Sequence, residues 1–311
     1  MKYDRAYSSE YDKCLTIYEI RELNFDEEVD YNSEDDEFFC PDDDCRLNTE
    51  MNPVLTTVNA NKVTYKKTPH FKDIPSTTHR LHCPYGETIK ESENIDGKSS
   101  YEEGFKTTDF PTVFLLERKK YTKKSKSKDE TVDSINKTIE SQKSTGKLDN
   151  TESKKSPNTT SVFEHIVECF LSNQHDKDKL KSMPLTISDV TANYNFFFKN
   201  IRYFQDREGL IYWGRIKNIK DYKYSFAITF ADQVSNTQIT AYINKSTIDN
   251  YRKKRYFTEK IRSLNLQNDD FNCFFFGAYP EIKHVEHGDK SFDVYNIDIN
   301  NLDHFLLRLI D

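Results

Sequence analysis

The chain has 311 residues, of which 35% are hydrophobic, 31% charged and 14% aromatic, with a net charge of −7. Its 41 Tyr and Phe exclude a fully disordered chain, and the lack of a sequence period excludes collagen, coiled coils and stalks. No apolar run approaches the ~20 residues that span a bilayer, and the polar start predicts no signal peptide, so we expect a soluble, cytoplasmic protein that needs no membrane.

Charge divides the chain into three parts. Residues 1–117 contain 13 Lys/Arg and 26 Asp/Glu, residues 118–160 contain 12 and 6, and residues 161–311 contain 20 of each. The middle part has no aromatic residue between positions 122 and 160, too little apolar surface to offset an ordering entropy of about 1–2 kcal/mol per residue. The sequence therefore predicts an acidic module, a basic flexible linker with a transient helix over 132–141, and a C-terminal binding domain.

Cysteine and histidine cluster in the acidic part. In a chain without a secretion signal, such a cluster favours a metal over a disulfide, and structural zinc takes four ligands in a tetrahedron. The predicted ligands come from two short segments: Cys40 and Cys45 as the first pair, His79 and Cys83 as the second, and His70 or His82 as substitutes for His79. We expect structural Zn²⁺ at this site.

This arrangement resembles the small N-terminal zinc module of the competence-protein CoiA-like family and of related bacterial and phage-borne proteins. In that family a strand leads to an aromatic-Cys-Pro-x-x-Cys knuckle, then to His-Phe-Arg-His and His-x3-Cys elements. Here the corresponding segments are residues 14–20, Phe39-Cys40-Pro41, His70-Phe71-Lys72 and His79 to Cys83. The sequence departs from the pattern in its Cys-x4-Cys spacing and in Asp73, which stands where a second His is expected.

The most acidic segment is residues 25–45, with 11 Asp/Glu and no Lys/Arg. Three interpretations are open: a solvated loop, an intramolecular mask over a basic face, or a nucleic-acid mimic that docks a basic protein partner. The acids lack the alternate spacing and the glycine of an EF-hand loop, which argues against calcium.

Hydrophobic periodicity predicts the elements after the linker. Ser161 and Glu164 form a candidate capping box for an amphipathic helix over 162–172, with His165 facing solvent. The remaining predicted elements are strands over 210–219, 224–230, 238–243, 272–279 and 291–299, one helix over 246–264, and a helix or strand over 302–310.

This order, with Gly214 and Gly277 inside strands as signs of tight curvature, follows the plan of an OB-fold. Residues 212–219 and 226–232 resemble the first two strands of OB-fold nucleic-acid binders. The predicted fold class is α+β and multidomain: a small zinc-stabilised β-rich N-terminal module plus a C-terminal OB-like five-stranded β-barrel with flanking helices. The alternative is a generic α+β domain with an antiparallel sheet.

The barrel region carries the residue types that bind single strands. Residues 194–230 contain 12 aromatics, and residues 199–262 contain 14 basic and 6 acidic side chains; aromatic stacking plus a basic groove holds single-stranded nucleic acid. Phe226, Ile228 and Phe230 are assigned to the core. The predicted contacts lie on the first two strands and on a basic helical cluster: Tyr212, Trp213, Arg215, Lys217, Tyr222, Tyr224, Arg252, Lys253, Lys254 and Arg255.

Two structural alternatives to nucleic-acid contact stay open: Trp213 packs in the core, and residues 252–255 form a solvated helix surface. Because the sequence has no nucleotide-binding, hydrolase or kinase motif, we expect no enzyme. The favoured function is noncatalytic binding of single-stranded nucleic acid, with the zinc module docking a partner or a second nucleic-acid site. The alternatives are a protein-interaction adaptor of a bacterial defence or mobile-element system, whose barrel binds protein, and an enzyme completed by a partner.

Overall fold

The computed structural model of the chain describes residues 2–48, 54–80, 83–85, 110–124, 158–264, 269–287 and 290–310. Within them the protein is mixed α+β, with three sheets and short helices. No helix of this described part is both long and apolar enough to cross a bilayer.

A six-stranded antiparallel sheet forms the N-terminal module, in the order β1-β6-β5-β4-β2-β3. Its elements are β1 (Lys2–Tyr3), β2 (Arg5–Ser8), β3 (Lys13–Thr16), α1 (Ile17–Phe25), β4 (Phe38–Phe39), α2 (Asp43–Arg46), β5 (Val54–Val58) and β6 (His70–Asp73). A capping box between Thr16 and Glu19 starts α1. Residues 17–20, predicted as strand, are therefore helical, because this box satisfies the free N–H groups of the first turn.

A second sheet of four short strands, in the order β10-β9-β7-β8, joins segments from both sides of the predicted linker. It comprises β7 (Val113–Phe114), β8 (Thr159–Thr160), β9 (Pro184–Ile187) and β10 (Val190–Asn193). The Lys119 N–H donates to Ser161 Oγ at 3.2 Å, and the Tyr121 hydroxyl donates to Glu19 at 2.8 Å. Residues 118–124 thus contact both neighbouring parts; the helix predicted over 132–141 lies outside the described residues, and the boundaries near 117 and 160 stay predictions.

Three helices flank this sheet: α3 (Phe163–Leu171), α4 (Lys177–Ser182) and α5 (Tyr194–Phe197). The capping box predicted between Ser161 and Glu164 is wrong, because α3 begins after Val162, whose side chain has no hydrogen-bond acceptor. Ser161 Oγ accepts from the Lys119 N–H, and the Glu164 carboxylate accepts from Arg21 and Tyr65. The solvent-facing position predicted for His165 is wrong: the ring is buried and stacks on Tyr18 at 4.6 Å. The N-terminal module covers this second face of α3, and burial lowers the pKa of His165 to about 3.

The C-terminal sheet has the order β16-β17-β14-β13-β12-β15-β18, with β11 parallel to β12. Its elements are β11 (Phe198–Asn200), β12 (Ile211–Asp221), β13 (Phe226–Val234), β14 (Thr237–Ile243), α6 (Lys245–Asp249), α7 (Lys254–Ser263), β15 (Phe271–Phe276), β16 (Glu281–His287), β17 (Lys290–Asp298) and β18 (Phe305–Leu309). Where one helix was predicted over 246–264, the chain forms α6 and α7. Arg252 and Lys253 lie in the break, where both bind carboxylates of α1.

Strand β12 passes from one pairing to another along its length. Its first half pairs with β15 and its second half with β13, with a register shift between Ile216 and Asn218. Gly214 is required here, since a Cβ atom would lie 2.6 Å from Ile201 Cγ2. Gly277 lies just beyond β15 with φ +85°, so its predicted place inside a strand is wrong. The core positions predicted for Phe226, Ile228 and Phe230 are confirmed.

Candidate metal centre and nucleic-acid interface

Four predicted ligands meet at one point of the N-terminal module: Cys40, Cys45, His79 and Cys83, whose ligand atoms all lie within 4.8 Å of one another. The first follows β4, the second lies in α2, and the other two lie in the segment after β6. The Asp42 carboxylate caps α2 by accepting the Cys45 N–H at 2.8 Å. This cap turns the short helix so that the second cysteine faces the first.

The distances between the ligand atoms fit a tetrahedral ion. Cys40 Sγ lies 3.6 Å from Cys83 Sγ, and His79 Nδ1 lies 3.4 Å from Cys83 Sγ and 3.6 Å from Cys45 Sγ. An ion bound about 2.3 Å from sulfur and about 2.0 Å from nitrogen in a tetrahedron separates its ligand atoms by roughly 3.5–3.8 Å. The three cysteines are fully buried. This cluster could therefore hold a metal ion.

The outer face of His79 is bound by a carboxylate. Asp73 Oδ1 lies 2.9 Å from His79 Nε2, and the Tyr3 hydroxyl donates to both Asp73 oxygens at 3.0 and 2.8 Å. Burial raises the pKa of Asp73, but the hydrogen bonds from His79 and Tyr3 outweigh it and lower the pKa. A carboxylate on the far nitrogen of a ligating histidine fixes the ring and its tautomer. Asp73 is thus the residue that orients His79, although the sequence marked it only as standing where a second His is expected.

Backbone and arginine contacts support the sulfur side. The Arg80 N–H points at Cys45 Sγ at 3.3 Å, and its guanidinium binds Asp42 at 3.1 Å. Arg46 donates to the Cys40 carbonyl at 3.2 Å. Such donors hold the two short segments in place and offset thiolate charge.

The substitutes predicted for His79 have different outcomes. His70 lies on β6, buried, with Nδ1 2.9 Å from the Thr68 carbonyl oxygen, and it does not join the cluster. His82 lies outside the described residues. His79 is the histidine that the described structure brings to the three cysteines.

An Asp73→Asn variant is expected to bind the metal about 10–100-fold more weakly, because the amide no longer holds the imidazole with a negative charge. Competition of the full chain against a chromophoric chelator measures this. Asp293→Asn is the matched control, since Asp293 also contacts a histidine nitrogen, that of His284 at 2.6 Å, but on the β16–β17 hairpin of the C-terminal sheet. Equal metal affinity of the two variants would contradict the role given to Asp73.

The predicted nucleic-acid contact at Tyr212 is wrong. Its side chain is fully buried, and its hydroxyl donates to the Gln205 and Arg207 carbonyls. Trp213 is half-buried, with its ring stacked 6.2 Å from that of Phe274. Arg215 is exposed and pairs with Asp270, and Lys217 is exposed on the same strand. The first half of β12 therefore offers few rings for stacking.

Arg252 and Lys253 are also wrong as nucleic-acid contacts. Their side chains are only 10% exposed; Arg252 binds Glu22 at 2.7 Å and Asp26 at 3.0 Å, and Lys253 binds Glu22 at 2.6 Å. Burial raises the pKa of Glu22, but the two cations outweigh it and lower the pKa. These ion pairs connect α1 to the break between α6 and α7.

Three predicted contacts do come together, on an open groove of about 440 Å³ between the β12–β13 turn and α7: Tyr224, Lys254 and Arg255. The Tyr224 ring is 54% exposed, with Lys223 Nζ 5.1 Å and Lys245 Nζ 5.5 Å from its centroid. Tyr222, 49% exposed on the same turn, has Lys220 Nζ at 4.7 Å.

The groove is basic. Five cations line it, against two carboxylates: Lys223, Lys245, Lys254, Arg255 and Arg262, against Asp249 and Glu259. Lys223, Lys245 and Arg262 belong to the 14 basic residues of positions 199–262 but were not among the predicted contacts. The Tyr224 ring lies at the edge of this basic groove. An aromatic ring beside several cations is the combination that binds single-stranded nucleic acid.

Comparison with protein-family models matches no family, and a search of curated proteins finds no match to this chain.

Proposed function

We propose that the chain binds single-stranded nucleic acid, without catalysis, in the groove between the β12–β13 turn and α7. The observation that carries this proposal is the exposed Tyr224 ring flanked by Lys223 and Lys245. The two ammonium groups lie over the ring. A base that stacks on the ring through its π-face takes their place, and the displaced ammonium groups bind the adjacent phosphates. Nothing in such contacts reads base edges, so we expect little sequence preference.

The proposal includes an OB-like barrel in the C-terminal sheet. Its support is the pairing pattern: β12, β13 and β14 form an antiparallel meander, β14 pairs in parallel with β17, and β12 pairs with β15. Helices α6 and α7 lie between β14 and β15. If β15 and β16 are the two halves of one broken strand, the β16–β17 pairing completes the ring. On this plan the groove lies beside the loop between the first two strands, where OB-folds bind oligonucleotides.

We propose zinc as the ion in the Cys40, Cys45, His79 and Cys83 cluster. Three cysteines and one histidine form a soft, tetrahedral donor set that suits zinc, and four protein ligands leave no open position for a reaction. The role is therefore structural, in line with the resemblance to the CoiA-like zinc module. When bound, the ion would hold β4, α2 and the segment after β6 together.

A Tyr224→Ala variant is expected to bind a fluorescent oligothymidylate about 5- to 150-fold more weakly than the wild type, the loss of about 1–3 kcal/mol from one stacked base. Fluorescence anisotropy of the full chain at low salt measures this loss of affinity.

A Lys223→Ala, Lys254→Ala variant is expected to lower the slope of log affinity against log salt by about 0.7 for each lost phosphate contact.

Tyr203→Ala is the control for the first variant, because Tyr203 is 69% exposed but does not line the groove. Lys177→Ala, Lys181→Ala on α4 is the control for the second, since it removes the same charge elsewhere. No salt-sensitive binding by the wild type would refute the proposal and favour the protein-interaction adaptor.

A further inference from the structure

A carboxylate of the N-terminal module contacts Arg255, one of the residues that line the groove. The Glu27 carboxylate accepts a hydrogen bond from the Arg255 N–H at 2.8 Å and lies 3.4 Å from Arg255 Nε. Arg255 lines the groove, and its side chain is 86% exposed, whereas that of Glu27 is 28% exposed. The Arg255 guanidinium group thus remains open to solvent, although its Nε and the backbone N–H of the residue contact the Glu27 carboxylate.

The position of Glu27 is fixed from both sides. The Glu27 N–H donates to the Arg252 carbonyl at 2.9 Å, and Arg252 itself is held by Glu22 and Asp26. Asp26 also pairs with Arg118 at 2.6 Å. The end of α1 is therefore anchored beside the start of α7, and Glu27 meets Arg255 without having to order a free loop.

We infer that the N-terminal module competes with nucleic acid for the groove, with the Glu27 carboxylate in the place that a phosphate would take on Arg255. This inference rests on the proposed function and adds its regulation. A phosphate that binds Arg255 through Nε and the backbone N–H must displace the Glu27 carboxylate from these two donors, which lowers the affinity for any polyanion. Of the three interpretations of the acidic segment 25–45, these contacts favour the intramolecular mask.

The neighbouring residue provides a matched control. Glu28 carries the same charge one position further on, with its side chain 71% exposed, and its ion pair is with Arg118 at 3.8 Å. Removal of either acid changes the net charge of the chain equally. Only removal of Glu27 frees Arg255.

The test compares the full-length wild type, Glu27→Ala and Glu28→Ala with two probes: an oligothymidylate of about ten nucleotides and inorganic tripolyphosphate. We expect Glu27→Ala to bind both about two- to fivefold more tightly than the wild type, as for loss of one surface ion pair, and Glu28→Ala to change less than twofold. In an Arg255→Ala background the Glu27→Ala change should give no gain. Thermal unfolding confirms that each variant is folded.

The outcomes separate the two proposals. Equal affinities of Glu27→Ala and Glu28→Ala for the oligonucleotide overturn the mask and leave nucleic-acid binding in place. Tighter tripolyphosphate binding by Glu27→Ala, with no oligonucleotide bound by any variant, supports the mask and refutes the nucleic-acid ligand. Failure of every variant to bind either probe overturns both.

Discussion

A Cys83→Ser variant of the full chain is expected to purify without its metal ion and with a loosened N-terminal module. Zinc binding contributes about 10–16 kcal/mol to small zinc-dependent folds at pH 7, and the loss of one thiolate leaves three ligands and an open position. We expect the module to depend on such a contribution because its apolar core is small: residues such as Leu15, Ile20 and Phe71 form a cluster separate from the larger C-terminal core.

Elemental analysis measures the metal content of the variant, and limited proteolysis followed by mass spectrometry shows which segment becomes accessible. We expect new cleavage near α2 and the segment after β6, and little change within β12–β14. Cys14→Ser is the control, since Cys14 is exposed and outside the cluster. Metal retention by Cys83→Ser equal to that of Cys14→Ser would remove the cluster as a metal centre.

The Cys/His cluster was predictable because its members are local in the sequence. Cys40 and Cys45 lie on one short segment, His79 and Cys83 on another, and the structure brings these two segments together. The role of Asp73 was not predictable in the same way. A lone aspartate has no spacing signature, and its function exists only because β6 places it beside the ring of His79.

Strand alternation was informative, although it did not fix which face is buried. Alternation places Tyr212, Gly214 and Ile216 on one face of a strand, and the structure buries these three while it exposes Arg215 and Lys217. Tyr212 was selected as a contact because aromatic residues serve both cores and stacking surfaces. Strand β16, by contrast, was not predicted, since its residues at 281–287 are mostly polar and lack the apolar alternation that marks a half-buried strand.

Three further errors have one physical cause, which is contact between distant parts of the chain. His165, Arg252 and Lys253 look like surface residues in their local sequence. Each is buried by the N-terminal module, through a Tyr18 ring or the carboxylates of α1. Such partners lie more than 100 residues away, and no local pattern reveals them. A contact of the same kind, between distant parts of the chain, buries Arg21 of α1 against Glu164 of α3.

An Arg21→Met variant is expected to lower the free energy of unfolding by about 3–5 kcal/mol, the usual cost of leaving a buried charge without its partner. The Arg21 side chain is 1% exposed, and its Nε lies 3.1 Å from Glu164 Oε2 on α3. Its Nη1 donates to the carbonyls of Asn59, Ala60 and Lys62. Methionine fills much of the volume but supplies none of these hydrogen bonds.

Chemical denaturation of the metal-loaded chain at pH 7 measures the loss. Arg215→Met is the control, because Arg215 is 58% exposed and an exposed pair such as Arg215–Asp270 contributes only about 0–1 kcal/mol. A Glu164→Gln change is expected to cost less in the Arg21→Met background than in the wild type, since the unpaired carboxylate is then gone. Similar losses in Arg21→Met and Arg215→Met would show that the buried pair does not join the two parts of the protein.

The effect of Arg21→Met should also depend on pH. Burial alone would raise the pKa of Glu164, but Arg21 and Lys260 outweigh it and lower the pKa to about 2. A carboxyl group whose pKa is lower in the folded state stabilises the fold above its unfolded pKa, about 4.5, and this contribution disappears as the pH falls toward 2. The difference in stability between the wild type and Arg21→Met should therefore be largest near pH 7 and shrink below pH 4.5. A difference that stays constant across this range would assign the loss to the missing carbonyl contacts and to packing, because those do not titrate.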